Sequence, residues 1–247
     1  MALSADQTQR YARHIVLREI GGAGQNALLS SKVAIIGAGG LGGPAGLYLG
    51  AAGIGELSLI DDDKVELSNL QRQIQFVDAD IDQDKSKAMA HSVASRAPHT
   101  KLNFHVTRLT EENAIQLLDG HDVILDGTDN FSTRLLINKA SRSLKIPLVS
   151  GAIGRFDMQL GVFNTSDDIP CYRCFVGNIE DTDKNCASEG VLGAIAGMCG
   201  SMMAMEAIKL ITKTGDPLIS RLYMFDALSA NGRTIRLSQD SNCPICS

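Results

Sequence analysis

A glycine-rich segment near the start of the chain restricts its fold more than any other feature. The letters KVAIIGAGGLGGPAGLYLGAAG at residues 32–53 begin with a buried-strand run and continue with Gly37, Gly39 and Gly42 at G-x-G-x-x-G spacing. A helix is predicted from about Leu41 to Ala52. The first glycine permits a tight turn, the second lets the backbone approach a phosphate, and the third allows close helix packing. The segment therefore predicts a nucleotide-binding strand–loop–helix unit.

The following strand supports this prediction. The letters LSLIDDD at residues 57–63 indicate a strand that ends in acid, and Asp61 lies 24 residues after Gly37. A carboxylate at this place can bind ribose hydroxyl groups. By themselves these residues suggest an NAD-dependent enzyme, but as evidence for NAD they are weak. The alternative is a tight turn with no ligand.

Alternation of strands and helices predicts the fold class. Further strands are expected in KLNFHVTRL, DVILDGTDN and IPLVSGA, with a helix around residues 84–97. After about residue 154, RFDMQLGVFN alternates like an antiparallel strand, and residues 221–239 indicate a hairpin around Asn231-Gly232. We expect an α/β protein. Its doubly wound, mostly parallel sheet should carry a Rossmann-like nucleotide site and an antiparallel C-terminal extension.

The remaining segments exclude some classes of protein. Residues 4–30 are predicted to be helical with a break at Gly21-Gly22, and residues 180–190 to form a polar loop. Residues 191–211 are long enough to span a bilayer, but Glu206 and Lys209 lie among them, which favours a buried core helix. The start of the chain lacks the pattern of a secretory signal, so a cytoplasmic protein is expected. The formal charge of −5 argues against a broad nucleic-acid surface.

A polar segment follows the second strand, where NAD enzymes usually continue into a helix. It carries Asn69, Arg72 and Gln73, and Lys85 follows thirteen residues after Arg72. Arginine and lysine beside a phosphate loop can clamp a triphosphate and stabilise a charged transition state. The alternative is a solvated polar loop.

Two aspartates end the fourth predicted strand in the letters DGTDN. Asp126 and Asp129 are expected at the carboxyl edge of the sheet, where ligands bind in such folds. A carboxylate there could hold Mg²⁺ against phosphate groups.

Two cysteine pairs, CYRC at residues 171–174 and CPIC at residues 243–246, are separated by the 68 residues 175–242. Four thiolates are the usual tetrahedral ligand set of a closed structural zinc site, and four unliganded thiols are the alternative. Cys199 lies within the apolar helix and is expected to be a buried small hydrophobe. Cys186 lies in a polar loop before a helix, where a thiolate is favoured, so it is either reactive or a spectator.

These motifs resemble a known family. The segments RYARHIVLREIGGAGQ, GAGGLGGPAGLYLGAAGIGELSLIDDDKVELSNLQRQ and DGTDN, with both cysteine pairs, are similar to the ubiquitin-activating-enzyme-like superfamily. The similarity is to its short bacterial branch, the ThiF/MoeB adenylyltransferases, and it covers essentially the whole chain in the same motif order. It implies that ATP and Mg²⁺ adenylate the C-terminal Gly-Gly carboxylate of a ubiquitin-fold sulfur carrier protein, in molybdopterin or thiamine biosynthesis. The products would be carrier acyl-AMP and pyrophosphate.

The resemblance also implies roles for individual residues. Each role is assigned only where this sequence matches the family motif. Arg13 would cross the interface of a homodimer to reach the ATP of the partner subunit. The matching cysteine of relatives, here Cys186, can join the carrier or a sulfur donor covalently. One departure is Gly127, where relatives often have cysteine before the threonine. Gly39, Gly40 and Gly42 would line the nucleotide, Asp61 would bind ribose, Asn69, Arg72 and Lys85 would bind phosphates, Gln73 would belong to the same nucleotide site, Asp129 would bind Mg²⁺, and Cys171, Cys174, Cys243 and Cys246 would bind Zn²⁺.

Several alternatives stay open at this point. Lys85 and Lys87 both fit the lysine position, although spacing from Arg72 favours Lys85. A single domain is expected, with helices at residues 1–30, a nucleotide-binding half at 31–154 and a carrier-binding, zinc-containing half at 155–247. The chain carries no rhodanese-like extension, so a separate sulfur donor protein is expected. An NAD-dependent oxidoreductase and a non-catalytic nucleotide-binding scaffold are the competing functions.

Overall fold

A computed structural model describes residues 2–177 and 190–246. One eight-stranded sheet runs through the molecule in the order β3-β2-β1-β4-β5-β6-β7-β8. The first five strands in this order pair in parallel, and β6, β7 and β8 continue the sheet by antiparallel pairing. The strands are β1 (Lys32–Ile36), β2 (Glu56–Ile60), β3 (Lys101–His105), β4 (Val123–Asp126), β5 (Leu148–Ile153), β6 (Asp157–Phe163), β7 (Arg221–Asp226) and β8 (Asn231–Arg236). The predicted fold class is confirmed.

Helices cover both faces of this sheet. The parallel strands read as continuous apolar runs because each is buried on both faces. One face packs on helices near the N-terminus and on the long apolar helix, and the other on α6, α7 and α8. The described helices are α1 (Ala5–Arg10), α2 (Ala12–Ile15), α3 (Gly21–Ser30), α4 (Gly42–Ala52), α5 (Lys85–Ala94), α6 (Ala114–Leu118), α7 (Phe131–Leu144), α8 (Tyr172–Val176) and α9 (Gly193–Thr212).

The register of the parallel strands sets the position of the site. Ile36 pairs with both Ile60 and Asp126, so β1, β2 and β4 end side by side. The residues that follow these strands therefore meet at one carboxyl edge. This edge lies where the strand order reverses direction, between β1 and β4, and ligands bind at such points in doubly wound sheets.

The apolar helix α9 is a core element of the fold. By length and composition it could cross a membrane, but it packs on α4, β5 and β6. Its Glu206 is 4% exposed, accepts a hydrogen bond from the Leu218 amide at 2.8 Å and pairs with Lys209. The structure thus agrees with the sequence prediction of a buried core helix, and it shows how the two charges are accommodated.

Two local predictions were wrong. The hairpin exists, but its turn is formed by residues 227–230, and Asn231 and Gly232 pair with Asp226 and Phe225 inside the ladder. The Asp226 carboxylate accepts hydrogen bonds from the amide of Leu228 at 2.9 Å and the hydroxyl of Ser229 at 2.6 Å. These bonds stabilise a four-residue turn, which outweighs the Asn-Gly preference.

The break in the N-terminal helical region was also placed too late. The helices α1 and α2 are separate, turns occupy residues 16–20, and Gly21-Gly22 begin α3 instead of ending a helix. Gly21 takes a φ of +58°, which redirects the chain at no steric cost because glycine has no Cβ.

Candidate functional site

The glycine loop joins β1 to α4 at the carboxyl edge of the sheet. Gly37 has a φ of +89°, and its amide donates to the Ile60 carbonyl at 2.9 Å. A Cβ at position 42 would lie 1.9 Å from the Gly37 oxygen, so this packing of helix against loop requires glycine. Gly39 and Gly40 are partly exposed. The first turn of α4 follows directly, and its N-terminal end is suited to an anion.

Asp61 connects the end of β2 to this loop. One of its carboxylate oxygens accepts from the Ala38 amide at 2.7 Å, and the other accepts from the Asp63 amide at 2.8 Å. Burial raises the pKa of Asp61, while these amide bonds and the nearby Lys85 charge oppose the rise. Asp61, the residue predicted to bind ribose, therefore lies against the glycine loop, and its carboxylate is fixed in orientation.

The structure separates the two candidate lysines. Lys85 begins α5, is 7% exposed, and places its Nζ 2.7 Å from Asp63 Oδ2. Its charge also acts on Asp61. Lys87 is exposed. Lys85 is therefore the lysine that lies next to the loop.

The polar segment after β2 folds back over the loop. Asn69 is buried, and its carbonyl oxygen accepts hydrogen bonds from the amides of Arg72 and Gln73. A Cβ on Gly40 would lie 3.8 Å from the Arg72 Cγ. A Cβ on Gly39 would lie 3.7 Å from the Gln73 Nε2. The structure thus brings together the predicted phosphate ligands and the glycine loop.

The two aspartates of the DGTDN segment have different surroundings. Asp126 is fully buried, and its carboxylate accepts from the Thr128 hydroxyl at 2.7 Å and the Ser150 hydroxyl at 2.8 Å. Asp129 is exposed beyond the end of β4. Asp126 is therefore held within the fold, and Asp129 is the exposed carboxylate of this segment.

Four cysteines converge although the pairs lie far apart in sequence. The Sγ separations are 3.9 Å for Cys171–Cys174, 3.6 Å for Cys171–Cys243 and 3.3 Å for Cys174–Cys246, and all four atoms lie within 4.8 Å of one another. Tetrahedral zinc with Zn–S bonds of about 2.3 Å holds its sulfur atoms about 3.8 Å apart. The cluster therefore fits a four-thiolate zinc ion. Burial raises the pKa of the Cys171 thiol to about 12.

Three further predicted positions stand apart from this geometry. Arg13 is exposed on α2, which packs against α1 and α3, so its role across an interface stays a prediction. Cys199 is fully buried in α9, as expected, and burial raises its pKa to about 12. Cys186 lies outside the described residues.

Sequence reasoning missed two residues that support the site. Gln75 is 3% exposed, and its Nε2 donates to the Ala38 and Gly39 carbonyls. Arg134 of α7 is 6% exposed, and its guanidinium donates to the carbonyl of Thr128, next to Asp129. Each lies in a segment where a polar residue normally faces solvent, so no pattern marked either one.

Comparisons with known proteins agree on one family. The sequence profile described as the ThiF family matches residues 11–245. The SAMP-activating enzyme E1 of Haloferax volcanii is 42% identical over 250 residues, covering 100% of this chain and 92% of that protein. The sulfur carrier protein adenylyltransferase of Thermus thermophilus is 36% identical over 252 residues, covering 100% and 93%.

Longer relatives and solved structures extend the comparison. The adenylyltransferase and sulfurtransferase MOCS3 of Drosophila grimshawi is 43% identical over 248 residues, and the chain spans 55% of its length. Crystal structures of Escherichia coli MccB, alone and with ATP, match with TM-scores of 0.85 and 0.80 at 20% identity. They cover 99% and 91% of this chain, and 73% and 69% of theirs. At this identity the structures support the fold alone.

Proposed function

This chain belongs to the ThiF family, and we propose that it adenylates the C-terminal glycine carboxylate of a ubiquitin-like sulfur carrier protein. The observation that carries the proposal is the meeting of the glycine loop, Asp61, Lys85 and Arg72 at one carboxyl edge of the sheet. Relatives that match the whole chain, which include a sulfur carrier protein adenylyltransferase, support this substrate class.

The reaction needs no general base, because a terminal carboxylate is already ionised at pH 7. A carboxylate oxygen of the carrier attacks the α-phosphorus of ATP in line. A new oxygen–phosphorus bond forms, the bond to the bridging oxygen breaks, and pyrophosphate leaves with the electron pair. Negative charge that develops on the phosphates is balanced by Arg72 and Lys85, both held beside the loop before substrate arrives.

Two metals fit the residues present. The exposed Asp129 carboxylate lies at the edge where phosphates would bind, and oxygen ligands of this kind suit Mg²⁺. When bound, Mg²⁺ would supply positive charge against the phosphate oxygens. The four-cysteine cluster fits a structural Zn²⁺ ion, whose ligands all come from protein, so no position would stay open for chemistry.

A homodimer is part of the proposal, with Arg13 supplied to the partner's ATP. Its support is the exposure of large apolar side chains on α9 and α4. Met198 is 42% exposed, Met205 57% and Tyr48 60%, and α9 packs on α4. Large exposed apolar residues on packed neighbouring helices are typical of subunit interfaces. Helix α3 also packs on α9, and α2 packs on α3. Arg13 lies on α2, so one helix, α3, connects its element to α9.

The finer assignments also remain proposals. Residues 31–154 would bind the nucleotide and residues 155–247 the carrier and zinc, within one domain preceded by the N-terminal helices. Cys186 would act, if at all, after AMP transfer, in sulfur handling with a separate donor protein. The protein would work in the cytoplasm, in molybdopterin or thiamine biosynthesis, and would bind neither nucleic acid nor membrane.

Pyrophosphate exchange tests the function directly. The protein, ATP, Mg²⁺ and labelled pyrophosphate are incubated with each candidate carrier, and with a carrier that lacks its terminal glycines as control. We expect label to enter ATP only with an intact carrier. Binding of ATP without exchange for any carrier would favour the scaffold alternative. A larger thermal shift with NAD than with ATP–Mg²⁺ would favour the oxidoreductase, for which Arg72 and Lys85 have no evident use.

A further inference from the structure

Gln75 lies beneath the glycine loop and is bonded to two of its carbonyl groups. The side chain is 3% exposed, and Nε2 donates to the Ala38 oxygen at 2.8 Å and to the Gly39 oxygen at 3.1 Å. Both carbonyls are therefore held toward the buried side of the loop. Neither the family resemblance nor the polar pattern of this segment assigned Gln75 a role.

Because the peptide bond is planar, the contact with Gln75 also determines the direction in which the neighbouring N–H groups point. In a trans peptide the carbonyl and the following N–H point in opposite directions. Fixing the oxygens of Ala38 and Gly39 inward therefore fixes the N–H groups of Gly39 and Gly40 outward. Among the described residues, neither of these N–H groups donates a hydrogen bond to another residue. Both are thus available to an anion at the open side of the loop.

Backbone bonds of Gly37 and Gly43 also hold the loop, but Gln75 is the side chain that donates to the Ala38 carbonyl. Glycine adopts positive and negative φ about equally readily, so peptide units between glycines can rotate at low cost. A rotated unit would point a carbonyl oxygen toward the phosphates and repel them. The intrinsic flexibility that lets the loop approach a ligand is therefore the property that Gln75 restrains.

The fit of Gln75 depends on a further glycine that the nucleotide motif does not explain. A Cβ on Gly43 would stand 2.0 Å from Gln75 Oε1, so Gly43 makes room for the side-chain amide. Gln75 Oε1 is buried and has no hydrogen-bond partner among the described residues. An apolar side chain at position 75 would avoid this desolvation cost but would leave the Ala38 carbonyl without its donor, whereas the Gly39 carbonyl would keep the Gly43 amide, which donates to it at 2.9 Å.

We propose that Gln75, seated against Gly43, is a positioning residue that holds the glycine loop with its N–H groups toward the triphosphate of ATP. The inference rests on the proposed nucleotide site. It concerns the phosphate part of the ligand alone, because the ribose is assigned to Asp61.

Isothermal titration with ATP–Mg²⁺ and with adenosine tests this division. Gln75→Leu should weaken ATP binding about tenfold, since the competent loop becomes a minor state, and leave adenosine binding within about twofold. The control is Gln71→Leu, an exposed glutamine of the same segment, which should change neither. Equal weakening of both ligands would mean loss of structure, and unchanged ATP binding would mean no role; either result overturns the proposal. Gln75→Met provides the same comparison if the leucine variant does not fold.

A double-mutant cycle gives independent evidence. Gly43→Ala should weaken ATP binding by displacing Gln75, but should add little to Gln75→Ala, where the space is open. Additive losses would contradict the proposed seat. If the wild-type protein binds ATP but catalyses no pyrophosphate exchange, the proposed function fails while both comparisons still decide the role of Gln75.

Discussion

At the scale of single residues, Lys85 and Lys87 provide a matched pair. The first is buried beside Asp63 and near Asp61, and the second is exposed. We expect Lys85→Met to reduce pyrophosphate exchange by about 10- to 100-fold, the loss for a hydrogen bond to a charged group. Lys87→Met should leave the rate within about twofold. Steady-state exchange assays on both variants measure this, and equal losses would remove Lys85 from the mechanism.

Asp129 allows a second residue-level prediction. Asp129→Ala should reduce exchange by at least about 100-fold, because the variant lacks the carboxylate that is proposed to hold Mg²⁺ against the negatively charged phosphates. The protein should stay folded, since this side chain is exposed. The control is Asp119→Ala, another exposed aspartate, which should keep full activity. Near-normal exchange at saturating Mg²⁺ in the Asp129 variant would rule out the magnesium role.

Glycines at positions where the backbone geometry excludes other residues could be predicted from the sequence. Gly37 and Gly42 were identified because their positions demand a positive φ or a close backbone approach, and the structure has both. Gln75 and Arg134 escaped notice because their roles come from burial, and burial of a polar side chain is decided by tertiary packing. The choice between Lys85 and Lys87 likewise depended on which side of α5 faces Asp63.

At the scale of elements, the parallel strands were predictable and the turns were less so. Strands buried on both faces leave an unbroken apolar run in the sequence, as in β1 and β4. The β7–β8 turn depends instead on the Asp226 side chain, which competes with the Asn-Gly signal five residues later. The Gly232 position is better explained by packing, because a Cβ there would meet the Tyr223 hydroxyl at 2.4 Å.

The cysteine cluster gives a prediction for the elements it joins. Cys243→Ser should release most of one zinc ion per chain and lower the melting temperature by about 5–10 °C, because zinc binding is coupled to folding. ATP binding at 25 °C should persist, since the cluster supplies no group to the glycine loop. Ser241→Ala, an exposed neighbour, is the control. Metal analysis and thermal unfolding measure both effects. Wild-type protein purified without chelator and free of zinc would contradict the assignment.

At the scale of the whole molecule, Arg13 and Asp129 test the proposed dimer together. Arg13→Ala and Asp129→Ala chains should each be inactive, and mixing after subunit exchange should restore about a quarter of wild-type exchange activity, given random pairing into two-fold dimers. In each mixed dimer one site has its own Asp129 and receives Arg13 from its partner. A mixture of two separately prepared Arg13→Ala samples is the control. No recovery despite verified subunit exchange would place Arg13 within its own chain or outside the reaction.

The wide spacing of the cysteine pairs also sets an order of events during synthesis. Cys174, the second cysteine of the first pair, leaves the ribosome 69 residues before Cys243. At rates of about 5–20 residues per second, that interval is roughly 3–14 s. When Cys174 emerges, all five parallel strands and β6 have been made, and α9, β7 and β8 emerge during this interval. The nucleotide-binding half of the nascent chain can therefore fold before the four-thiolate cluster is complete. Metal binding is then a late folding step, which follows the formation of most of the sheet.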